Sequence, residues 1–256
     1  MKTRIALVLL SGFATSVVAA ERLTEQRDWT ETFTVTSASP TLTVSNIWGP
    51  VFIRAGRDGE IAVSVKGAVS APDAERLERA LEIFAIDIEA DDQGVALLVG
   101  EPRWEWQRRD PCKRCRAEYA FEISVPAGAI VDASTVNDGR VDILDVSGAV
   151  TASNVNGPIG IENVGDCNRI DNINGRIELS FSARPQADCD IETINGDVAV
   201  SIPGGAGLDL ALNLYNGRIV SEFDVEPLPV PARVEATTDD EGKRYRIEQS
   251  AGVRIG

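Results

Sequence analysis

The side chains able to do chemistry are few, and their spacing narrows what they can do. Cys112 and Cys115 form a C-x-x-C, and Cys167 and Cys189 lie further along the chain. A C-x-x-C is a redox centre when it opens a helix in a thioredoxin-like βαβ unit, and no such unit surrounds Cys112. The flanking cations Lys113, Arg114 and Arg116 would lower thiol pKa values and favour some reactivity. A zinc site would have to recruit Cys167 and Cys189 from far away, and that pair lacks C-x-x-C spacing. In an exported chain, disulfides are the expectation for all four cysteines, with Cys112 and Cys115 stapling their own segment. Connectivity stays open. Cys167 stands eight residues before the next turn glycine and Cys189 seven, which in regular strands puts them on opposite faces. Pairing them requires an irregular segment, which Ala183-Arg184-Pro185-Gln186 can supply.

Asp142 and Glu178 are the best-spaced carboxylates. Each lies three residues after a turn glycine, two repeats apart, so about 9.6 Å by backbone spacing. That is at the upper edge of the roughly 6.5–9.5 Å used by inverting glycosidases, and outside the retaining distance. One of the two would also need a raised pKa, which an open strand face does little to provide. Trp104, Trp106, Arg108 and Arg109 make a basic, aromatic cluster suited to sugars, peptides or anionic polymers; the same tryptophans would equally cap an open sheet edge. Gly204-Gly205-Ala206-Gly207-Leu208-Asp209 opens like a calcium-binding nonapeptide, but such repeats hold calcium only in tandem. It also aligns with Ala127–Asp132, each stretch following a proline, and so reads as a repeated loop. The chain has no histidine. That removes the usual Ser-His-Asp and Cys-His constellations and histidine-ligated metals. No metal or other cofactor is expected.

The elements that must position these residues are announced by a recurring turn. Asn156-Gly157, Asn174-Gly175, Asn195-Gly196 and Asn216-Gly217 follow one another at 18, 21 and 21 residues, each followed by a short alternating strand. Gly139, Gly148 and Gly157 add a nine-residue half-period. A fixed period of this length predicts stacked coils in which no single coil buries its own apolar face. The fold expected is all-β: a single-chain flattened β-solenoid, β-helix-like, of about 18–21-residue coils with Asn-Gly turns. Glycine admits the positive φ these turns require, and the asparagine amides can hydrogen-bond from coil to coil. That column is more structural than ligand-binding. Asn46-Ile47-Trp48-Gly49-Pro50-Val51-Phe52-Ile53 parallels Asn154–Ile161, so the pattern starts early.

The domain plan is a signal peptide at 1–20, a β-rich N-terminal part at 21–119, and solenoid repeats with a C-terminal hairpin at 120–256, continuous with the part before. Lys2 and Arg4, the apolar run from Ile5, and Val18-Ala19-Ala20 supply the three signal regions. One short amphipathic helix, about 72–84, places Leu77, Ala80, Leu81 and Phe84 on one face. Residues 101–119 are the Trp/Arg/Cys insert. Arg233–Thr237 and Lys243–Ile247 form the hairpin, and Gly252–Ile255 a last strand. The net charge of −15 becomes −17 once Lys2 and Arg4 are removed, which disfavours nucleic acid. No transmembrane segment is expected after signal removal.

The Val125-Pro126-Ala127-Gly128 lead-in, the Asn-Gly turns, the Ser147-Gly148 turn and the Asn46–Ile53 unit together resemble a bacterial family of exported β-strand-repeat proteins of unknown function. That family is related to the domains called adhesin heads, or GIN domains. The resemblance covers roughly Phe33–Ile219. It implies an all-β solenoid-like fold outside the cytoplasm and no established activity; "adhesin" there is a label more than a demonstrated function. The insert is not part of the family pattern. The functional expectation is a non-enzymatic exported scaffold with an adhesin-like binding or interaction role at the bacterial cell envelope, its partner an envelope glycan or protein. The periplasm is the expected compartment, with the cell surface or secretion as alternatives. The competing expectations are a carbohydrate-active enzyme using Asp142 and Glu178, and a periplasmic thiol-disulfide protein using Cys112 and Cys115.

Overall fold

The computed structural model describes residues 3–4, 22–100, 112, 114–206, 208–212, 218, 220–222, 225–228, 233–239, 242–248 and 251–255. The signal-peptide expectation falls outside them apart from Thr3 and Arg4, as do Trp104, Trp106, Arg108, Arg109, Asn216 and Gly217. The chain divides into two compact units, 1–201 and 202–256.

In the first unit the apolar residues alternate with polar ones at period two, as half-buried strands require. The elements are β1 (Thr3–Arg4), β2 (Leu23–Gln26), β3 (Trp29–Thr34), β4 (Thr41–Ser45), β5 (Val51–Ala55) and β6 (Glu60–Ala71), then α1 (Ala74–Ile83), β7 (Ile86–Ala90), β8 (Gly94–Val99) and β9 (Arg116–Val125). Four strand pairs follow: β10 (Ile130–Thr135) with β11 (Val141–Leu144), β12 (Ala149–Asn156) with β13 (Ile159–Val164), β14 (Asp166–Asn174) with β15 (Ile177–Phe181), and β16 (Asp190–Asn195) with β17 (Val198–Ser201). Apart from α1, the described secondary structure is all β. The helix begins at Asp73, whose carboxylate accepts from the Arg76 amide, and packs against β6 and β2.

Each pair sends its first strand into one sheet and its second into another, and successive pairs stack in parallel. The first sheet runs β1-β7-β8-β4-β10-β12-β14-β16 and the second β17-β15-β13-β11-β5-β9-β6-β2, with β3 also on β6. Neither sheet closes on itself. The rungs therefore stack in the order β8/β9, β4/β5, β10/β11, β12/β13, β14/β15, β16/β17. Spatial order departs from chain order at one point. The rung of β4 and β5 lies between β8/β9 and β10/β11, so the chain passes over it on leaving β9. At the β8/β9 end, antiparallel β7 and β6 come next, with β1 on the far side of β7 and β2 and β3 on the far side of β6.

Inward residues line up in columns, such as Val95, Leu42, Val131 and Val150 in the first sheet and Val51, Val141, Ile159 and Ile177 in the second, all buried. Cys167 takes the next place after Val150 and is bonded to Cys189. The opposite-faces problem is resolved mainly within β14. The register slips between Val150 and Thr151, leaving Asn168 as an extra residue that turns Cys167 inward. The other pair is Cys112–Cys115.

The second unit holds a three-stranded antiparallel sheet, β18 (Leu208–Leu212), β22 (Ala251–Ile255) and β19 (Val225–Leu228), and the expected hairpin, β20 (Arg233–Asp239) with β21 (Gly242–Glu248). The Gly-Gly stretch is a tight turn, the Ala206 amide donating to the Pro203 carbonyl at 3.2 Å. Ala129 and Pro126 make the matching bond at 2.9 Å. The two loops are therefore one motif used twice.

The turn glycines explain the period. A Cβ on Gly139 would sit 2.0 Å from the carbonyl oxygen of Gly49; on Gly157, 1.9 Å from that of Gly139; on Gly175, 2.2 Å from that of Gly157; and on Gly196, 1.9 Å from that of Gly175. Each rung closes because its turn can lie directly on the turn before. Gly175→Ala, with φ of +151° as well, is expected to lower unfolding free energy by about 2–4 kcal/mol. Gly204→Ala, with open space around it, is the tolerated comparison, both read by urea denaturation.

Candidate functional site: the asparagine turn edge

The connection from first-sheet to second-sheet strand falls on one edge of the stack in every rung, and its sequence fixes two polar columns there. The outer column is the one foreseen from the Asn-Gly turns. Asn156 Nδ2 donates to Asn137 Oδ1 at 3.1 Å, Asn174 Nδ2 to Asn156 Oδ1 at 3.0 Å, and Asn195 Nδ2 to Asn174 Oδ1 at 3.0 Å. Each amide uses one N–H and one oxygen in the ladder and keeps hydrogen-bonding capacity toward solvent.

The inner column, two residues earlier, was not recognised in the sequence. Asn46, Thr135, Asn154 and Asn172 are buried. Thr135 Oγ1 donates to the Gly49 carbonyl at 2.9 Å, Asn154 Nδ2 to that of Gly139 at 3.0 Å, and Asn172 Nδ2 to that of Gly157 at 3.0 Å. These bonds satisfy the glycine carbonyls on which the next turn rests. Asn154 Oδ1 and Asn172 Oδ1 receive no hydrogen bond from the protein, a cost accepted to hold the turns. The signal was present as a repeated Asn/Thr-x-Asn spacing before the glycine.

Trp48 occupies the ladder position of its rung, bridged in parallel to Asn137, and its ring meets Phe84 edge-on at 5.8 Å. The link between β8 and β9 is the equivalent connection of the neighbouring rung, so the insert departs from and returns to this same edge beside Trp48. Its return is tied down. Cys112 and Cys115 close a turn in which the Cys115 amide donates to the Cys112 carbonyl and Arg114 takes φ of +70°. Both sulfurs lie against the Arg76 carbonyl of α1, at 3.3 and 3.7 Å. Arg22 donates to the Arg114 carbonyl. Arg116 reaches Asp138 of the β10/β11 turn at 3.2 Å, past the intervening rung. Below it Tyr119 is buried and donates to the Phe84 carbonyl at 2.8 Å; burial pushes its phenol up to about 12.

An open concavity of about 410 Å³ lies on this edge, lined by Pro50, Asp138, Gly139, Arg140, Asn156, Gly157 and Pro158. The extra turn residue Asp138, at φ +52°, sets its rim. Asp142 and Glu178 stand nearby in one column of the second sheet, with Gly160 between them. Each is held by an arginine two residues before it: Arg140 Nη2 to Asp142 Oδ1 at 2.7 Å, and Arg176 Nε to Glu178 Oε1 at 2.8 Å. The structure places them on one face but gives each its own cation.

No family model matches the chain, and no curated protein matches its sequence. Two solved structures are similar in shape. A "putative cell adhesion protein" of Clostridium sporogenes shares 10% identity over 69% of this chain and 100% of its own, with a TM-score of 0.43. A "putative adhesin" of Bacteroides fragilis shares 11% over 69% of this chain and 97% of its own, with a TM-score of 0.25. At these values neither carries an argument about this protein, which rests on the edge itself.

Asn172→Ala should cost about 1–3 kcal/mol by leaving the Gly157 carbonyl without its donor. Asn174→Ala, on the exposed ladder, should cost about 1 kcal/mol or less in the same denaturation assay. Tyr119 gives a pH signature. Its folded pKa is raised, so the stability it contributes is complete below about 10 and is lost as pH rises through about 12. Tyr119→Phe should remove that component from the alkaline unfolding curve.

Proposed function

We propose that the protein is a non-enzymatic exported scaffold whose stacked rungs form a flattened β-solenoid with an adhesin-like binding role at the bacterial cell envelope. The observation that carries this reading is the convergence on one edge of the amide ladder, Trp48 and both ends of the Trp/Arg/Cys insert. A regular stack supplies rigidity, and binding residues commonly sit on the connections such a scaffold holds in place. On this reading the disulfide turn at Cys112–Cys115 is a structural clasp for the insert, and Trp104, Trp106, Arg108 and Arg109 supply specificity. Among the described residues no helix is long and apolar enough to cross a membrane. The leader-like N-terminus supports export, with the periplasm as the compartment.

The test is retention of the purified protein on cell-wall glycans and on extracted envelope proteins. Trp104→Ala/Trp106→Ala is expected to weaken retention at least about tenfold. Unchanged retention removes the insert from the binding role. Product release from a polysaccharide panel that disappears in Asp142→Asn would replace the scaffold reading with an enzymatic one.

A further inference from the structure

The residue between the two polar columns of each turn is aliphatic in the five rungs from β4/β5 to β16/β17: Ile47, Val136, Val155, Ile173 and Ile194. Strand register sets these residues side by side on the outer face of the first sheet. Val136 is 36% exposed, Ile173 39% and Ile194 73%, with Ile47 and Val155 half-buried. They form an aliphatic stripe along the stack, next to the asparagine ladder. Beside the stripe runs a second column, Ser45, Ser134, Ser153, Asp171 and Glu192, and beyond it a third, Thr43, Asp132, Thr151, Arg169 and Asp190. With rungs about 4.8 Å apart, the stripe is about 19 Å long.

We propose that this face binds an uncharged, hydroxyl-rich linear glycan lying along the stack. The inference rests on the binding reading above but assigns the ligand to a different surface from the insert. An aliphatic stripe and an amide ladder that recur rung after rung suit a polymer with its own axial repeat better than an aperiodic protein surface. A narrow aliphatic stripe offers contact to the C–H faces of sugar rings. Serine and threonine hydroxyls, carboxylates and ladder amides offer donors and acceptors to their hydroxyl edges. Charge selects among polymers. Asp132, Asp171, Asp190 and Glu192 face the ligand against one cation, Arg169, which is already shared between Asp171 at 2.6 Å and Glu192 at 2.9 Å. Such a surface repels polyanions and anionic membranes. Desolvation raises the Asp132 carboxyl above its ordinary value, although the side chain is exposed at the surface.

The test uses the full chain and three uncharged probes, cellohexaose, chitohexaose and laminarihexaose, with polygalacturonate as the anionic comparator. Titration calorimetry is expected to show binding to at least one uncharged probe and none to polygalacturonate. The triple variant Val155→Ser/Ile173→Ser/Ile194→Ser should bind about tenfold or more weakly with an unchanged circular dichroism spectrum, since Ile173 and Ile194 are exposed and Val155 is only half-buried. Ser153→Ala, a milder change, should weaken binding in the same direction and covers the case in which the triple variant fails to fold. Binding to none of the three probes, equal binding by the variants, or preference for polygalacturonate overturns the proposal. Trp104→Ala/Trp106→Ala is titrated in parallel. Loss in that variant alone leaves the scaffold reading standing and removes this face. A wild-type protein that binds envelope extracts but no uncharged probe does the same, and one that binds neither removes both.

Discussion

The contact on which the structure depends is a glycine α-carbon resting on the carbonyl of the glycine one rung earlier. Four successive contacts of this kind, from Gly49 through Gly196, leave no room for a side chain. They set how closely rungs approach at the turn edge and keep both sheets in parallel register. The inner Asn and Thr column exists to serve them, because a glycine carbonyl buried under the next turn needs a donor. The outer amide ladder is a by-product with potential for recognition, since it hangs from the same turns where water and ligands can reach it.

This edge also explains why an irregular insert is tolerated. A connection between β8 and β9 can lengthen without disturbing either sheet, provided its ends return to the stack. The Cys112–Cys115 turn against α1 and the Arg116–Asp138 pair provide that return. The pair is exposed and contributes little stability by itself; it fixes where the chain re-enters. The buried Tyr119 hydroxyl and its bond to Phe84 tie the same return to the helix.

The carboxylates show how register places side chains in one column. Asp142 and Glu178 share a column as their spacing required, yet the residue two before each is an arginine on the same strand face. Period-two alternation thus gives each acid its own counter-ion before any substrate could approach.

Much of the fold was legible in the sequence because its cause is local and repeated. The Asn-Gly turns marked the rungs, alternation marked the strands, Asp73 and the Leu77–Phe84 face marked the helix, and the two Pro-led loops marked a motif used twice. The outer ladder followed from the same spacing. The inner column and the aliphatic stripe were written there too, in the residues just before each Asn-Gly, but their facing depends on how the strand enters the turn. What only tertiary structure decided is non-local. Nothing in the chain order says that the rung of β4 and β5 lies between β8/β9 and β10/β11, because parallel pairing links segments far apart in sequence. Nor does spacing reveal the bulge at Asn168 that turns Cys167 toward Cys189. The sequence determined the unit and its period; the order of stacking, and hence which side chains share a face, was decided by packing among units with nearly interchangeable edges.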